Sequence, residues 1–316
     1  MILTVTPNPS IDRTVTVDAL RPGAVHRAAF TRVDAGGKGV NVSRALAKHG
    51  MSNRAALPLG GESGRLMRDL LQESAVELIT LPSEGEVRTN IAVVEGDGTT
   101  TKVNETGPRY DRRAVRSFMD AVLEACTAST TWVAGCGSLP PGMPDSIYAE
   151  LTEQARSRGV QVAVDTSGTP LHQVIEASPD LVKPNRAELA ELVGADLPTV
   201  GAVIEAAREL VHRDVGRVLV SLGRDGALLV DARQVHYAYA TAPHPLSTVG
   251  AGDCALAGYL SGLVCGRGAA DALATAVAFG TAAVMCPGTE VPGPAEVAAI
   301  SVTVQEDPRR DRPLDD

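Results

Sequence analysis

Residues 247–254 read STVGAGDC. Two glycines and one small residue lead to a single carboxylate, Asp253, the only acidic side chain between Asp231 and Asp271. A run of small and apolar residues, CALAGYLSGLV, follows with helical character. Asp253 has three candidate roles: cap of that helix, part of a dinucleotide loop, or catalytic base beside an anion-binding loop. The dinucleotide reading has a partial match, because GAGDCA fits G-x-G-x-x-A and Asp271 lies about twenty residues on. It needs a second strand ending at that acid. AADALATAVAFGTAAVM reads instead as a helix of small residues, and too little chain remains for a second Rossmann half.

Upstream, helical and strand patterns alternate regularly from residue 107. Helix 111–128 precedes TTWVAGCG, helix 144–158 precedes VQVAVDTS, DLVKPN leads into RAELAELVG, and helix 199–213 precedes RVLVSLG. In helix 199–213, Val203, Ile204, Ala207, Leu210 and Val211 form one stripe. VAVD and VLVSL are almost wholly apolar, as strands covered on both faces are. The predicted fold is α/β, a doubly wound, mostly parallel sheet flanked by helices. Ligands in such sheets bind outside the carboxyl ends of the strands. Asn8, Asp12, Gly135–Ser138, Asp165, Asn185 and Ser221 fall at those ends.

Two stretches break the alternation. Residues 11–35 hold RTVTVD, with period-2 alternation, and VHRAAFTRVDA; residues 86–106 hold two β runs around a GDG turn. They predict a small separate sheet, leaving 1–10, 36–85 and 107–304 as the core. The charged, proline-containing stretch QEDPRRDRPLDD, 305–316, predicts a disordered tail.

Bulk properties set the class. Length, 44% hydrophobic and 21% charged residues suit a soluble enzyme. A net charge of −9 argues against a nucleic-acid partner. No apolar run is long enough for a membrane span, and the N-terminus lacks a signal-peptide pattern. Five cysteines without zinc spacing read as reduced thiols in a cytoplasmic protein.

Other motifs carry weaker signals singly. AGGKGVN is not a P-loop, because Gly39 rather than Ser or Thr follows Lys38. LVKPNRAEL places Asn185 and Glu188 at capping-box spacing, which serves structure alone or, with Lys183, water-mediated Mg²⁺ and phosphate contacts. VSLGRDG is a strand end and glycine turn. For Asp253 the glycines favour the base over the cap: Gly250 and Gly252 admit a close ligand, and the helix start forms an anion hole.

Together, GGKGVNVSRAL, GSLPPG, DLVKPNRAEL, VSLGRDGALLV and STVGAGD stand in the order and spacing of the ribokinase-like (PfkB) sugar kinases, which the chain resembles over about residues 1–295. TVTPNPSIDRTV, GGKG and TKVNETGP are similar to the branch holding 1-phosphofructokinases and tagatose-6-phosphate kinases. The resemblance implies a ribokinase-like fold whose small β-sheet is a lid pairing two subunits as a homodimer. It implies ATP and Mg²⁺, and phosphorylation of fructose 1-phosphate at O6. Tagatose 6-phosphate and fructose 6-phosphate are the neighbouring acceptors, and a non-catalytic sugar-phosphate sensor is the remaining reading.

By the same resemblance, Asp253 is the base, and the backbone of Gly250, Ala251 and Gly252 is the anion hole. Lys183 and Asn185 serve the nucleotide phosphates, and Glu188 serves Mg²⁺ through water. Ser221, Gly223 and Gly226 line the nucleotide site, and the loop near Gly288 closes over adenine. Asp12, Gly37, Lys38 and Asn41 hold sugar hydroxyls. Arg88 reaches the substrate from the lid, Ser138 lies near the sugar phosphate, and Arg27 contacts a phosphate across the dimer. Cys254, where many relatives carry serine or alanine, is expected to pack without reacting.

Overall fold

The alternating pattern folds as two sheets, seen in a computed structural model that describes residues 1–306 and 308–315. In chain order the first half comprises β1 (Ile2–Val5), β2 (Ser10–Thr16), β3 (Phe30–Gly36), α1 (Lys38–Lys48), β4 (Asn53–Leu59), α2 (Gly61–Gln72), β5 (Glu77–Pro82), β6 (Arg88–Val94) and β7 (Thr100–Asn104). Then come α3 (Arg112–Ala125), β8 (Trp132–Cys136), α4 (Ile147–Arg156), β9 (Gln161–Asp165), α5 (Thr169–Glu176), β10 (Leu181–Val182), α6 (Arg186–Val193) and α7 (Val200–His212). The chain closes with β11 (Arg217–Ser221), β12 (Ala227–Asp231), β13 (Val235–Tyr239), α8 (Ala251–Val264), α9 (Ala269–Ala283), α10 (Pro294–Ala298) and β14 (Thr303–Gln305).

The large sheet has ten strands in the order β14-β13-β12-β11-β10-β9-β8-β1-β4-β5. The seven strands from β11 to β5 are parallel, and β12, β13 and β14 add antiparallel at one edge. From β1 the chain winds outward through β4 and β5, then returns beside β1 at β8 and winds the other way. The β1/β8 junction is therefore the switch point where a crevice opens.

Helices cover both faces. On one, α3 to α7 bury Phe118, Tyr148, Leu151, Val174, Leu189 and Ile204 against the sheet. On the other, α1, α8 and α9 bury Leu46, Leu256, Tyr259, Leu260 and Phe279. Each such apolar side chain contributes roughly 1.5–3 kcal/mol. Small residues let α8 and α9 approach closely: a Cβ on Gly258 would lie 2.7 Å from the Thr275 carbonyl oxygen, and one on Gly262 would lie 2.9 Å from Ala272 Cα. Both helices are buried along most of their length, which explains their lack of a polar face. Neither they nor any other helix among the described residues is long and apolar enough to cross a membrane.

The second sheet runs β3-β2-β6-β7. Its root, through Ile11, Ala35 and Val87, packs on α2 and β4 residues Met67, Leu57 and Leu59. Its far edge, β7, is exposed throughout.

Two expectations need correction. The strand read at 25–35 begins only at Phe30, because residues 17–29 form a loop in which the His26 ring bonds the Arg21 backbone. The tail over 305–316 is not disordered where it is described. Residues 308–315 dock on α7 and on the turn after β11, with Leu314 only 8% exposed. Their arginines find Glu205 and Asp225, acids distant in sequence. Asp307 and Asp316 of that tail lie outside the described residues.

Candidate active site

Gly250 precedes α8 in the left-handed region (φ +79°), which favours glycine. Asp253 then falls in the first helical turn, and the cap reading fails there because its side chain caps no backbone N–H. Its Oδ2 instead accepts a 2.9 Å hydrogen bond from Asn41 Nδ2. Asn41 is presented by the first turn of α1, which starts at Gly37 with φ +114°. The α8 start is thus left without a side-chain acceptor, with its N–H groups and positive dipole end facing the crevice.

Asp253 is 8% exposed. Burial and the nearby Asp165 carboxylate push its pKa up to about 7, against the weaker pull of Asn41, Lys38 and Lys183. Cys254 beside it is buried, which pushes its thiol far above the usual range, so it packs as an unreactive group.

Asp165, at the carboxyl end of β9, is fully buried between two lysines. Lys38 Nζ donates to its Oδ1 at 2.7 Å, and Lys183 Nζ lies 3.0 Å from its Oδ2. Burial would raise its pKa, but Lys183 and Lys38 outweigh that and hold it below the ordinary value. Burial would likewise lower Lys38, yet Asp165 and Glu188 hold its ammonium well above the normal lysine range. Lys183 is 4% exposed and extends toward the anion loop: a Cβ on Gly252 would lie 3.2 Å from its Nζ. Sequence reading placed Asp165 at a strand end but gave it no role. Only the fold brings Lys38 and Lys183 to it.

The Asn185–Glu188 capping box is formed. Asn185 Oδ1 accepts from the Glu188 N–H, and Glu188 Oε2 accepts from the Asn185 N–H, each at 2.8 Å. Glu188 Oε1 remains, 3.9 Å from Lys38 Nζ. The structural reading of this motif therefore holds, and one carboxylate oxygen is still left for a ligand. Ser221 bridges to Asn185 in parallel pairing. Gly223 (φ +61°) and Gly226 (φ +97°) shape the turn into β12, and a Cβ on Gly226 would strike the Ala238 carbonyl oxygen at 2.1 Å.

On the small sheet, Asp12 Oδ1 accepts from Ser10 Oγ at 2.7 Å and Asn90 Nδ2 at 3.0 Å. Burial raises its pKa. Gly36 opposes it and has no room for a side chain: a Cβ there would lie 2.2 Å from Asp12 Oδ2. Arg88, at the start of β6, donates to the Glu105 carbonyl at 3.1 Å and has its pKa lowered by burial.

The structure therefore brings Asp253, Gly250–Gly252, Asn41, Lys38, Lys183 and Glu188 to one crevice at the strand ends, with Gly37 at its wall. Asp12 and Arg88 stand together on the small sheet. Three residues stand apart. Arg27 is exposed on the 17–29 loop, and Ser138 is exposed just past β8. Gly288 lies beside lid residues Asp34 and Arg32, its carbonyl accepting from Ser247 Oγ at 3.0 Å. Sequence reasoning missed Asn90 and the role of Asp165. Asp165 carried a signal, a lone acid at the end of an apolar strand.

The chain is similar to known proteins along most of its length. The family model described as pfkB family carbohydrate kinase matches residues 6–296. A 1-phosphofructokinase of Rhodobacter capsulatus is 38% identical over 304 residues, 96% of each chain. One of Bacillus subtilis is 32% identical over 83% of this chain and 86% of its own. The structure of phosphofructokinase-2 from Escherichia coli in complex with substrates and products superposes with a TM-score of 0.89 at 29% identity, covering 94% of this chain and 97% of the other. With this match along nearly its whole length, the chain belongs to the pfkB family of carbohydrate kinases.

Proposed function

We propose that this kinase transfers the γ-phosphoryl group of ATP to the 6-hydroxyl of fructose 1-phosphate, giving fructose 1,6-bisphosphate. One observation carries the chemistry: a buried carboxylate with its pKa pushed up to about 7 stands in the first turn of a helix that no side chain caps. Asn41 fixes one Asp253 oxygen, leaving the other to receive the hydroxyl proton as the sugar's hydroxyl oxygen attacks the γ-phosphorus and ADP leaves. The N–H groups from Gly250 to Gly252 and the Lys183 ammonium meet charge on the transferred group. Asp165 holds the Lys38 and Lys183 ammonium groups in place. Similarity to the Rhodobacter and Bacillus 1-phosphofructokinases supports fructose 1-phosphate as acceptor.

The donor set fits Mg²⁺ as a hydrated ion. Among the described residues no three acidic, histidine or cysteine side chains gather as a cage, which matches an ion held by phosphates, water and few carboxylates. Glu188, through its remaining oxygen, is the residue to hold it. Bound there, the ion neutralises phosphate charge. The lid sheet, with exposed Phe30 and Val103 on its strands, is our candidate for the contact between two subunits of a homodimer. Arg88 and Asp12 face substrate from that lid; Ser138 and Arg27 are the peripheral phosphate contacts, and Gly288 borders the nucleotide. Ser221, Gly223 and Gly226 line the nucleotide's other wall, next to Asn185.

ADP release with fructose 1-phosphate, fructose 6-phosphate, tagatose 6-phosphate and fructose tests the specificity. The highest kcat/KM is expected with the first, and preference for any other rejects it.

A further inference from the structure

After β14 the chain turns back along α7 and ends beside the turn that joins β11 to β12. The carbonyls of Arg310 and Arg312 accept from the N–H groups of Gly201 and Val200, at 2.8 and 3.0 Å. These are free donors of the first turn of α7, so the tail caps that helix. Gly201 is shaped for it, because a Cβ there would lie 2.8 Å from the Arg310 carbonyl oxygen. Leu314 N–H donates to the Pro198 carbonyl at 2.9 Å, and its side chain is buried.

Two contacts leave this seat and reach the nucleotide side of the crevice. Arg312 Nη2 donates to Asp225 Oδ1 at 3.1 Å, and the Asp315 N–H donates to Asp225 Oδ2 at 3.1 Å. Asp225 closes the short turn Gly223–Asp225, is 8% exposed, and its carbonyl accepts from Tyr237 Oη at 2.6 Å. Arg312 also lies over the Tyr237 and Tyr239 rings, 5.3 and 5.7 Å from their centroids. Arg186 Nη1, one residue after Asn185, donates to the Leu314 carbonyl at 3.3 Å. One segment thus ties the turn after β11 to the start of α6.

We propose that residues 310–315 form a strap that sets nucleotide affinity, with Arg312 a positioning residue acting through Asp225 on the turn from Ser221 to Gly226. The inference rests on the reading of that turn as part of the nucleotide site. The strap touches neither Asp253 nor the lid. Its loss therefore acts on ATP and leaves sugar binding and the chemical step alone.

The test compares full-length variants. Arg312→Ala is expected to weaken binding of a non-hydrolysable ATP analogue, measured by calorimetry, and to raise KM for ATP by roughly threefold to tenfold. kcat and KM for fructose 1-phosphate stay at wild-type values. Arg312→Lys restores part of the affinity, because a point charge still reaches Asp225 without the planar fork. Glu205→Gln, which loosens the Arg310 and Arg208 pairs on α7 and leaves the Asp225 contacts in place, leaves nucleotide affinity unchanged. A lowered Tm with unchanged analogue binding in Arg312→Ala would make the strap merely structural and overturn the proposal. Gly223→Asn separates the underlying reading: asparagine tolerates φ +61°, and its side chain enters space where a Cβ meets nothing within 4 Å. It should raise KM for ATP; if it does not, the turn is not a nucleotide wall and the strap proposal falls with it.

Discussion

Asp165 at the end of β9 and Asp253 at the start of α8 are both buried, yet they hold their protons oppositely. Asp165 touches two ammonium groups and stays ionised. Asp253 has a neutral amide as its hydrogen-bond partner, sees Asp165 as a like charge, and titrates near 7. Burial pushes both carboxyls upward; the placement of the lysines decides which one stays a permanent anion and which one exchanges a proton near neutrality. The first is suited to holding cations in place, the second to accepting a proton from a hydroxyl.

Their stability contributions have opposite signs. Between 3.8 and about 7 the folded chain keeps a proton on Asp253 that the unfolded chain has lost. Asp253 therefore lowers stability progressively as pH rises through that window, and its full penalty stands above 7. Asp165, with a lowered value, adds stability that is complete above 3.8 and is lost as pH falls through its folded-state value.

Four substitutions break or sharpen this contrast. Asp253→Asn removes the proposed base and keeps the Asn41 neighbourhood polar, so kcat should fall about a thousandfold in steady-state assays. The same variant should melt above wild type at pH 8, because a desolvated charge is gone. Asp165→Asn leaves Lys38 and Lys183 without their shared anion and should cost about 3 kcal/mol in denaturant unfolding. It also removes the like charge beside Asp253, so the acid limb of kcat/KM should move to lower pH. Lys183→Met acts the other way and should move that limb up, with KM for ATP increased. Cys254→Ala changes only packing next to Asp253: about 1 kcal/mol of stability should be lost with kcat and the limb unmoved. A shifted limb in that variant would mean that packing, not charge, tunes Asp253.

Much of this site was legible before folding. Strand ends in the doubly wound pattern located Asn185, Ser221 and Asp165, and the glycines around Ala251 singled out Asp253. What escaped was long-range pairing. The Asp165 bridge needs Lys38 from the first turn of α1 and Lys183 from beyond β10, and nothing local in VQVAVDTS announces either. Residues 308–315 were misread for the same reason: a charge run looks solvated until Asp225 and Glu205 are brought to it. β5, α5 and β13 carry short patterns that neighbouring strands and helices, rather than local periodicity, hold in place.

The acid limb of kcat/KM also reports the substrate, whose own phosphate titrates near pH 6. The most direct test is a titration of aspartate carboxyl carbons by ¹³C NMR on the free protein, wild type beside Asp253→Asn. One carboxyl should titrate near 7 in wild type and vanish in the variant, while Asp165 stays ionised down to the acid range. A wild-type spectrum in which every aspartate titrates near or below 4, or in which the neutral titration survives in Asp253→Asn, would contradict the assignment of Asp253 as the base.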